Sequence, residues 1–463
     1  MGVVVPSATP IKPMDTLITI GQLVLSLSIL IVLHEFGHFL PARLFGTRVE
    51  KFYLFFDPYF SLFKKQIGET EYGIGWLPLG GYVKISGMID ESFDTEQMES
   101  EPQEWEFRSK PAWQRLIIML GGVTVNFILG FFIYAMVLFA YGEEYLPAKN
   151  ATAGIAVDSL GQEMGFRSGD KILKVGDADF DRFNDRAILR AVAINNVRDI
   201  TVERGGATQK LEIENKWADI LTRHENKRER LFTARIPFVV GAVLEGGPGD
   251  KAGLKIEDRI VSVNGTPTPY FDQFTGLVKG KKEQNFMIGV KSKDSETIRQ
   301  VEITTNENGL IRTNPAPPAY SYDTERIEYG FLESFPAGYN QGVRFLGDQF
   351  NAFGQMFKGN IKVTESLGGF ASIGSMFGKT WVWERFWYMT ASLSLILAFM
   401  NLLPIPALDG GHVMFLLYEV ATGRKPSDKF MEYATMVGFV IVLGLVVLAN
   451  GLDIWRGIQS WFG

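Results

Sequence analysis

The sequence contains no cysteine among its 463 residues. No disulfide framework can form, and any metal site must use histidine and carboxylate ligands. The sequence also lacks an excess of basic residues, because 46 Lys and Arg stand against 52 Asp and Glu, a formal net charge of -6. This balance argues against a globally basic nucleic-acid-binding protein, so we expect no nucleic-acid partner.

The N-terminus lacks a recognisable signal peptide. Residues 1–13 contain no basic n-region and no small-residue cleavage site. They read as a flexible tail or an appended segment, because Met14-Asp15-Thr16 is typical of a natural start. We therefore assign residues 1–15 to an N-terminal tail.

Long apolar runs, by contrast, are present at both ends of the chain. Four segments reach about 20 residues, the length that crosses a bilayer: residues 16–40, 116–142, 387–405 and 433–452. We predict a multi-pass α-helical membrane protein with four transmembrane helices. Residues 16–142 and 381–463 would form the two parts of its membrane core.

Basic residues near the ends of the spans predict their orientation. They follow the first span, precede the second and connect the third to the fourth: Arg43, Arg48, Lys51, Lys64, Lys65, Arg108, Lys110, Arg115, Arg424, Lys425 and Lys429. This pattern places residues 43–115 and 420–430 in the cytoplasm, and both termini with residues 143–380 outside. Arg385, just before the third span, runs against the pattern.

Residues 69–87, between the first two spans, alternate apolar and polar side chains around several glycines. This pattern predicts one or two β-hairpins. Four apolar side chains suggest that the region lies against or dips into the membrane: Ile74, Trp76, Leu77 and Leu79. An ordinary cytoplasmic hairpin fits the pattern equally well. The acidic run Asp90–Glu106 that follows is interpreted as a solvated loop.

A weak internal repeat lies between the second and third spans. Residues 165–180, GFRSGDKILKVGDADF, align with residues 253–268, GLKIEDRIVSVNGTPT. The second copy, with A-G-L-K-x-x-D-R-I-V-S-V-N-G, resembles the core of a PDZ domain. We predict two PDZ-like α/β domains over residues 150–230 and 231–310, the first degenerate.

PDZ domains bind extended peptides at a sheet edge. The candidate groove is the glycine-rich loop Glu245–Gly249 with the segment before it, and the alternative is a pair of domains that act only as a spacer or size filter. The charged stretch Asn215–Arg230 reads as an insertion whose His224 is exposed and not a ligand. Residues 311–380 are predicted to be a linker with an amphipathic helix, which packs on the membrane or on the protein core.

Residues 25–46, LSLSILIVLHEFGHFLPARLFG, place His34, Glu35 and His38 inside the first apolar run. Positions i and i+4 of a helix lie on one face. The H-E-x-x-H pattern therefore allows His34 and His38 to bind one zinc ion while Glu35 deprotonates water. Ionisable residues are costly in a membrane and usually mark function there, so this stretch predicts zinc-dependent hydrolysis within the bilayer.

A catalytic zinc ion needs three protein ligands and one open position. Residues 400–412, MNLLPIPALDGGH, end the third span and place Asn401, Asp409 and His412 in an apolar setting. The two prolines interrupt a helix, and the two glycines allow close backbone approach. Asp409 is the preferred third ligand. His412 competes with it, and its alternative role is that of a hydrogen-bonding residue near the cytoplasmic end.

These motifs together resemble the site-2 protease family of intramembrane zinc metalloproteases. HEFGH in the first span, the glycine-rich hairpin, GGVTVNF in the second span, the PDZ pattern and NLLPIPALDGGH follow one another in the family order. The resemblance covers nearly the whole chain from about Met14. It implies a zinc metalloendopeptidase of a bacterial inner membrane, with the active site toward the cytoplasm and periplasmic PDZ-like domains.

The resemblance also implies a role for each matching residue. His34, His38 and Asp409 become the zinc ligands, Glu35 the catalytic base, and Asn401 the residue that holds the substrate backbone or stabilises the oxyanion. The substrate would add a strand to residues 72–84, which unwinds a helical substrate locally. The implied substrate-binding residues are Tyr72, Gly73, Ile74, Gly75, Trp76, Gly80, Gly81, Tyr82 and Asn126.

The implied partner is a membrane-spanning protein within the lipid bilayer, such as an anti-sigma factor already trimmed by another protease. Remnant signal peptides are a second substrate class of the family. Two other functions are compatible with the motifs: a catalytically inactive, membrane-anchored PDZ scaffold, and a soluble-domain zinc peptidase tethered to the membrane.

Overall fold

The computed structural model describes residues 13–78, 80–88, 101–223, 226, 230–293, 295, 297–363 and 367–462. The described chain divides into two compact units. The membrane unit contains residues 13–142, 328–349 and 367–462, and the repeat unit contains residues 143–327 and 350–363. The predictions for the tail before residue 13, Leu79, most of the acidic run before Glu106 and His224 lie outside the described residues.

Helices dominate the membrane unit. They are α1 (Pro13–Leu44), α2 (Ala112–Tyr141), α9 (Phe331–Phe357), α10 (Phe370–Phe377), α11 (Trp383–Leu402), α12 (Asp409–Thr422) and α13 (Asp428–Phe462), with a short 3-10 helix at Phe107–Ser109. The residues of α9 after 349 belong to the repeat unit.

Within the described residues, three helices are long and apolar enough to cross a membrane: Met14–Leu44, Ala112–Tyr141 and Lys429–Gln459. They correspond to the first, second and fourth predicted spans, the second of which extends one residue further as predicted, to Gly142. The third predicted span coincides with α11, which is not among the three. This helix has 20 residues, and Glu384 lies in its first turn. It ends at Leu402 because Pro404 and Pro406 cannot continue a helix.

Residues between α1 and α2 form a four-stranded sheet of β1 (Val49–Leu54), β2 (Phe56–Ile67), β3 (Thr70–Leu77) and β4 (Tyr82–Ile85). The strand order is β2-β3-β1-β4. The predicted pairing within residues 69–87 is therefore wrong, because β3 and β4 lie on opposite sides of β1. The hairpin in this sheet is formed by β2 and β3. Side-chain alternation identifies strands, whereas contacts outside the segment decide which strands pair.

The repeat unit consists of two halves with the same topology. Its strands are β5 (Glu143–Tyr145), β6 (Ile155–Val157), β7 (Lys171–Val175), β8 (Ala178–Asp179), β9 (Asp199–Arg204), β10 (Ala207–Glu212), β11 (Phe232–Ala234), β12 (Val240–Val243), β13 (Arg259–Val263), β14 (Thr266–Pro267), β15 (Asn285–Lys291), β16 (Ile298–Thr304), β17 (Thr313–Pro315) and β18 (Glu325–Ile327). Its helices are α3 (Ser159–Glu163), α4 (Asp185–Ala193), α5 (Lys216–Thr222), α6 (Pro248–Lys251), α7 (Phe271–Val278) and α8 (Pro318–Ser321), with a short 3-10 helix at Ala148–Asn150.

The first half contains the sheets β8-β7-β9-β10 and β6-β11, and the second contains β14-β13-β15-β16 and β12-β17. Strands β5 and β18 pair with each other outside these sheets. Each half encloses a hydrophobic core of its own, around Ile200 in the first and Ile288 in the second.

A similar ion pair to a buried aspartate occurs in both halves, with the arginine on β9 in the first half and on β16 in the second. Asp170 accepts hydrogen bonds from Nε and Nη2 of Arg204, each at 2.7 Å, and Arg204 also donates to the Gly165 carbonyl. In the second half, Asp258 accepts from Nη2 of Arg299 at 2.6 Å, and Arg299 also donates to the carbonyl of Gly253. The two aligned sequence motifs therefore occupy equivalent places.

The predicted boundaries at residues 230 and 310 stop short of the last strand of each half. Because β11 pairs with β6 and β17 pairs with β12, the halves extend to Ala234 and Pro315. Strand β11 is short and pairs with β6, about 75 residues earlier in the chain, so no local sequence pattern reveals it. The predicted insertion is also more than a surface loop, since it supplies α5, whose Trp217 and Leu221 are buried in the first core.

The predicted amphipathic segment forms α9. One face packs on α2, because a β-carbon on Gly338 would lie 2.5 Å from the backbone nitrogen of Ala135. Other apolar side chains of α9 are exposed, among them Leu332 and Phe357. Packing on the protein core is therefore confirmed for one face, and contact of the exposed side chains with the membrane stays a prediction.

Candidate metal centre and catalytic site

Three side chains converge in the membrane unit. His34 and His38 lie one turn apart on α1, and Asp409 is the first residue of α12. The Nε2 atoms of the two histidines are 3.3 Å apart, and each lies 3.4 Å from Oδ2 of Asp409. Among the described residues, these three side chains have ligand atoms close enough together to hold a metal ion.

This triangle has the size that tetrahedral zinc requires. Zinc binds His nitrogen and carboxylate oxygen at about 2.0–2.1 Å, so two of its ligand atoms lie about 3.3–3.4 Å apart. Oδ2 of Asp409 is buried and has no hydrogen-bond partner within the described chain. A cation held between the three atoms would offset the cost of that burial. The residues therefore fit a zinc ion with one position left for water.

An irregular segment between α11 and α12 aims Asp409 at the histidines. Ala407 has φ +98°, a conformation that L residues rarely adopt. The first turn of α12 then folds back on this segment, because a β-carbon on Gly411 would lie 2.5 Å from Cα of Pro406. The conformation at Ala407 and the small size of Gly411 together set the place where α12 begins.

Glycines of α2 make room for the histidines. A β-carbon on Gly122 would lie 2.6 Å from Cε1 of His34 and would also overlap Nε2 of His38. One on Gly37 would lie 2.5 Å from the carbonyl oxygen of Gly121, so the backbones of α1 and α2 touch at this level. The glycine pair in GGVTVNF is thus a steric requirement of the metal centre.

Helix α2 also orients both imidazole rings. Nδ1 of His38 lies 2.8 Å from the carbonyl oxygen of Ile118, which can only accept, so Nδ1 carries the proton and Nε2 is left as a ligand. The side-chain amide of the fully buried Asn126 lies 3.1 Å from Nδ1 of His34. Metal-binding histidines usually donate their second N–H to such a partner.

Asn401 lies in the last turn of α11, with Nδ2 3.3 Å from Nε2 of His34. Its amide is therefore next to the ligand triangle. From there it can donate a hydrogen bond to an oxygen that forms beside the metal position.

Glu35 faces the edge strand β4. Its carboxylate accepts a hydrogen bond from the backbone of Val83. A β-carbon on Gly81 would lie 3.6 Å from Cγ of Glu35 and 2.5 Å from the Ile31 side chain. Among the described strands β4 pairs only with β1, so its other side faces the Glu35 carboxylate without a partner strand.

The residues predicted to bind substrate separate into two groups. Tyr72, Gly73 and Ile74 lie on β3 and are paired on both sides, with β1 and with β2, so they have no open edge for an added strand. Gly75 and Trp76 continue the same strand. The second group, Gly80, Gly81 and Tyr82, leads into β4.

A hydrogen-bond network holds β4 in place. The Tyr82 hydroxyl donates to Oδ1 of Asp57 at 2.9 Å, and its ring stacks on that of Tyr53 with centroids 5.2 Å apart. Burial raises the pKa of the Tyr82 hydroxyl above its usual range, and the neighbouring Asp57 carboxylate raises it further. The hydroxyl therefore remains a hydrogen-bond donor at neutral pH and ties the edge strand to β2.

His412 lies away from the ligand triangle. It lines a separate cavity of the membrane unit together with Phe107, Arg115, Phe415 and Glu419. Of the two candidates weighed for the third ligand, Asp409 is the one that the fold brings to His34 and His38.

Three contributors to the site carry no signal of their own in the sequence. Ile118 and Val83 act through backbone groups, so their side chains reveal nothing of the role. The steric role of Gly122 depends on which helix faces α1. A glycine pair four residues before a buried asparagine in an apolar span is the one hint available, because small residues mark close helix contacts in membranes.

Comparisons with known proteins identify the family to which the chain is similar. The model of "Peptidase family M50" matches residues 22–445 of the chain. The chain is 27% identical over 469 residues to "Regulator of sigma E protease" from Haemophilus influenzae, covering 96% of this chain and 100% of that protein.

Two further relatives extend over similar lengths. "Regulator of sigma-E protease RseP" from Escherichia coli (strain K12) is 28% identical over 457 residues, covering 94% of this chain and 98% of that protein. A Xylella fastidiosa protein whose name places it among the zinc metalloproteases is 27% identical over 456 residues, with the same coverage of 94% and 98%.

Proposed function

Because this chain belongs to peptidase family M50 and is a site-2 type zinc metalloprotease, we propose that it hydrolyses a peptide bond within the transmembrane segment of a membrane protein. The observation that carries this proposal is the triangle of His34, His38 and Asp409 with Glu35 beside it. Two of these ligands and the carboxylate lie on a helix that is long and apolar enough to cross the bilayer.

The roles of the individual residues follow from their positions. Bound zinc supplies Lewis acidity, which brings the pKa of water toward neutrality and polarises a carbonyl group. Glu35 removes a proton from the attacking water and returns it to the leaving amine. Asn401 donates a hydrogen bond to the oxyanion that develops on the substrate.

The substrate is proposed to add a strand to the open side of β4. A transmembrane helix hides its peptide carbonyls in internal hydrogen bonds, so it must unwind before hydrolysis. Pairing with β4 replaces those hydrogen bonds and holds the extended substrate next to Glu35. Exposed side chains of β2, including Tyr59, Phe60 and Phe63, support contact of the sheet with the membrane.

We propose an anti-sigma factor, already trimmed by another protease, as the physiological substrate. The names of two relatives, both called regulators of sigma-E, support this choice. Remnant signal peptides remain the second substrate class.

The topology proposed from the sequence has four spans, with α11 as the third. The basic residues near the span ends favour an active site on the cytoplasmic side, with residues 143–380 in the periplasm. The two halves of the repeat unit are proposed to be PDZ-like domains that bind an extended peptide or exclude substrates with a large external domain. Two similar halves, each with a core of its own, support this assignment.

The proposal is tested by reconstituting the wild type and Glu35→Gln in vesicles. Each is given a membrane-spanning test substrate and the same segment as a soluble peptide, and the bound zinc is measured. We expect the wild type to cleave the embedded substrate, and Glu35→Gln to retain zinc but to lose about 100-fold or more in rate. Glu163→Gln, at an exposed site in the repeat unit, is the matched control.

Each other outcome identifies a competing function. Cleavage that survives Glu35→Gln would sink the assignment of the base. Cleavage of the soluble peptide alone would indicate a tethered soluble-type peptidase. A chain that binds no zinc and cleaves neither substrate would be an inactive scaffold.

A further inference from the structure

The helix α13 contacts the segment that precedes Asp409 at Gly438. The carbonyl oxygen of Pro406 occupies the place that a β-carbon would take on Gly438, and Cα of Pro406 would lie 3.1 Å from that β-carbon. The backbones of α13 and the Pro406 segment are therefore in direct contact. Any side chain at position 438 would have to displace the Pro406 peptide.

This contact belongs to a narrow buried stripe on a helix that is otherwise exposed. Thr435 and Gly438 are buried one turn apart, and Ala449 is buried farther along the same face. Val437 and Val440, on either side of Gly438, are 60% and 62% exposed. Around Gly438 the helix thus touches the rest of the membrane unit through small residues and leaves its large apolar side chains for lipid, whereas Asn450 and Asp453, farther along, accept hydrogen bonds from residues of α10.

Pro406 is held from a second side as well. A β-carbon on Gly411 would lie 2.5 Å from Cα of Pro406 and 2.6 Å from the carbonyl oxygen of Ile405. Pro406 therefore lies between the glycine backbones of α12 and α13. The next residue, Ala407, has φ +98°, and Asp409 follows two residues later. Because Ala407 and Leu408 alone separate Pro406 from Asp409, a displacement of the Pro406 peptide also displaces Asp409.

We propose that α13 is a positioning element for the metal centre, acting through the contact of Gly438 with Pro406. The glycine allows α13 to press on the Pro406 peptide, and this contact keeps Ala407 in its unusual conformation and Oδ2 of Asp409 at the two histidines. The inference rests on the proposed role of Asp409 as a ligand. Gly438 itself touches neither the metal position nor the substrate.

The test compares Gly438→Ala with Gly444→Ala in the full-length protein. Gly444 lies on the same helix, and a β-carbon there would meet nothing within 4 Å. Zinc affinity is measured by competition with a chelator, and the absorption spectrum of cobalt(II) added to the metal-free protein reports the ligand geometry. We expect Gly438→Ala to weaken zinc binding about tenfold or more and to alter the cobalt spectrum, and Gly444→Ala to match the wild type in both.

A second variant separates positioning from a general loss of folding. Ala407→Gly frees the backbone between Pro406 and Asp409, since glycine adopts positive φ without steric cost. Combined with Gly438→Ala, it should recover part of the lost zinc affinity and the wild-type cobalt spectrum. A structural defect elsewhere in α13 would not be rescued by a change at residue 407.

Two results would overturn the inference. One is a Gly438→Ala protein whose zinc affinity and cobalt spectrum equal those of the wild type. The other is a loss of affinity that Ala407→Gly leaves unchanged. Asp409→Ala serves as the reference: if it binds zinc normally, the proposed ligand set fails, whatever Gly438→Ala shows.

Discussion

Asn126 on α2 places its side-chain amide 3.1 Å from Nδ1 of His34 on α1. Asn126 is fully buried, and its Oδ1 has no hydrogen-bond partner within the described chain. Turning the amide by half a rotation brings Oδ1 to Nδ1, where it accepts the imidazole N–H. This arrangement satisfies the buried oxygen and leaves the lone pair of Nε2 for the metal. The asparagine of GGVTVNF is thus placed to set the tautomer of a ligand.

The first prediction concerns this tautomer. Asn126→Leu should weaken zinc binding by about 10- to 100-fold, the usual effect of losing the partner of a metal-binding histidine. Asn126→Asp should retain most of the affinity, because a carboxylate also accepts the Nδ1 proton. Chelator competition measures both. If Asn126→Leu binds zinc like the wild type, Asn126 serves helix packing or the substrate instead.

The second prediction concerns the space beside the histidines. Gly122→Ala should abolish zinc binding at stoichiometric concentration, because the added carbon overlaps Nε2 of His38 and comes within 2.6 Å of the His34 ring. Metal analysis of the purified protein is the measurement. Gly444→Ala, where the same added carbon meets nothing within 4 Å, controls for the change of residue type in an apolar helix. Normal zinc content in Gly122→Ala would contradict the packing of α1 on α2.

The grouping of His34, His38 and Asp409, the proposed ligands, could be predicted from the sequence because its signals are local or energetic. His34 and His38 share a helix face by spacing alone, and the cost of an acidic group in an apolar run left Asp409 as the preferred third ligand. The role of Asn126 toward His34 could not be predicted. It depends on which faces of α1 and α2 meet, and that contact is made between residues 92 positions apart.

The third prediction concerns the open side of β4. Val83→Pro removes the backbone N–H that points at Glu35 and prevents regular strand addition. We expect cleavage of a membrane-spanning substrate to fall by at least tenfold while the zinc content stays normal. Val83→Ala keeps the N–H and should retain most of the activity. Equal activity of the two variants would refute substrate pairing with β4.

Strand pairing in this sheet shows where sequence patterns reach their limit. The alternation in residues 69–87 marked real strands, β3 and β4. Nothing in that segment indicates that β1, about 20 residues earlier in the chain, separates them. The sequence therefore predicts strand addition over all of residues 72–84, although of β3 and β4 only β4 lies at an edge of the described sheet.

The fourth prediction separates the two candidates for the third ligand. Asp409→Ala should lose zinc, because Oδ2 lies 3.4 Å from each histidine Nε2. His412→Ala should retain zinc and most activity, since His412 lines a different cavity. Zinc content and cleavage are measured for both in the same vesicles. The reverse result would make His412 the ligand and Asp409 a supporting residue.

The fifth prediction uses the ion pair that occurs in both halves of the repeat unit. The Arg204 side chain is 17% exposed beside an Asp170 that is 1% exposed, whereas Arg299 is 40% exposed beside Asp258 at 4%. Arg204→Met would leave a buried carboxylate without its partner, which costs roughly 3–5 kcal/mol. Arg299→Met should destabilise its half less, because water reaches that pair more easily.

Limited proteolysis of the full-length protein at rising temperature measures the difference. We expect the first half to open in Arg204→Met at a lower temperature than the second half opens in Arg299→Met. Zinc content should stay normal in both, because each half has its own core and the ligands lie in the membrane unit. Equal sensitivity of the two variants would mean that solvent access does not decide the strength of the pair.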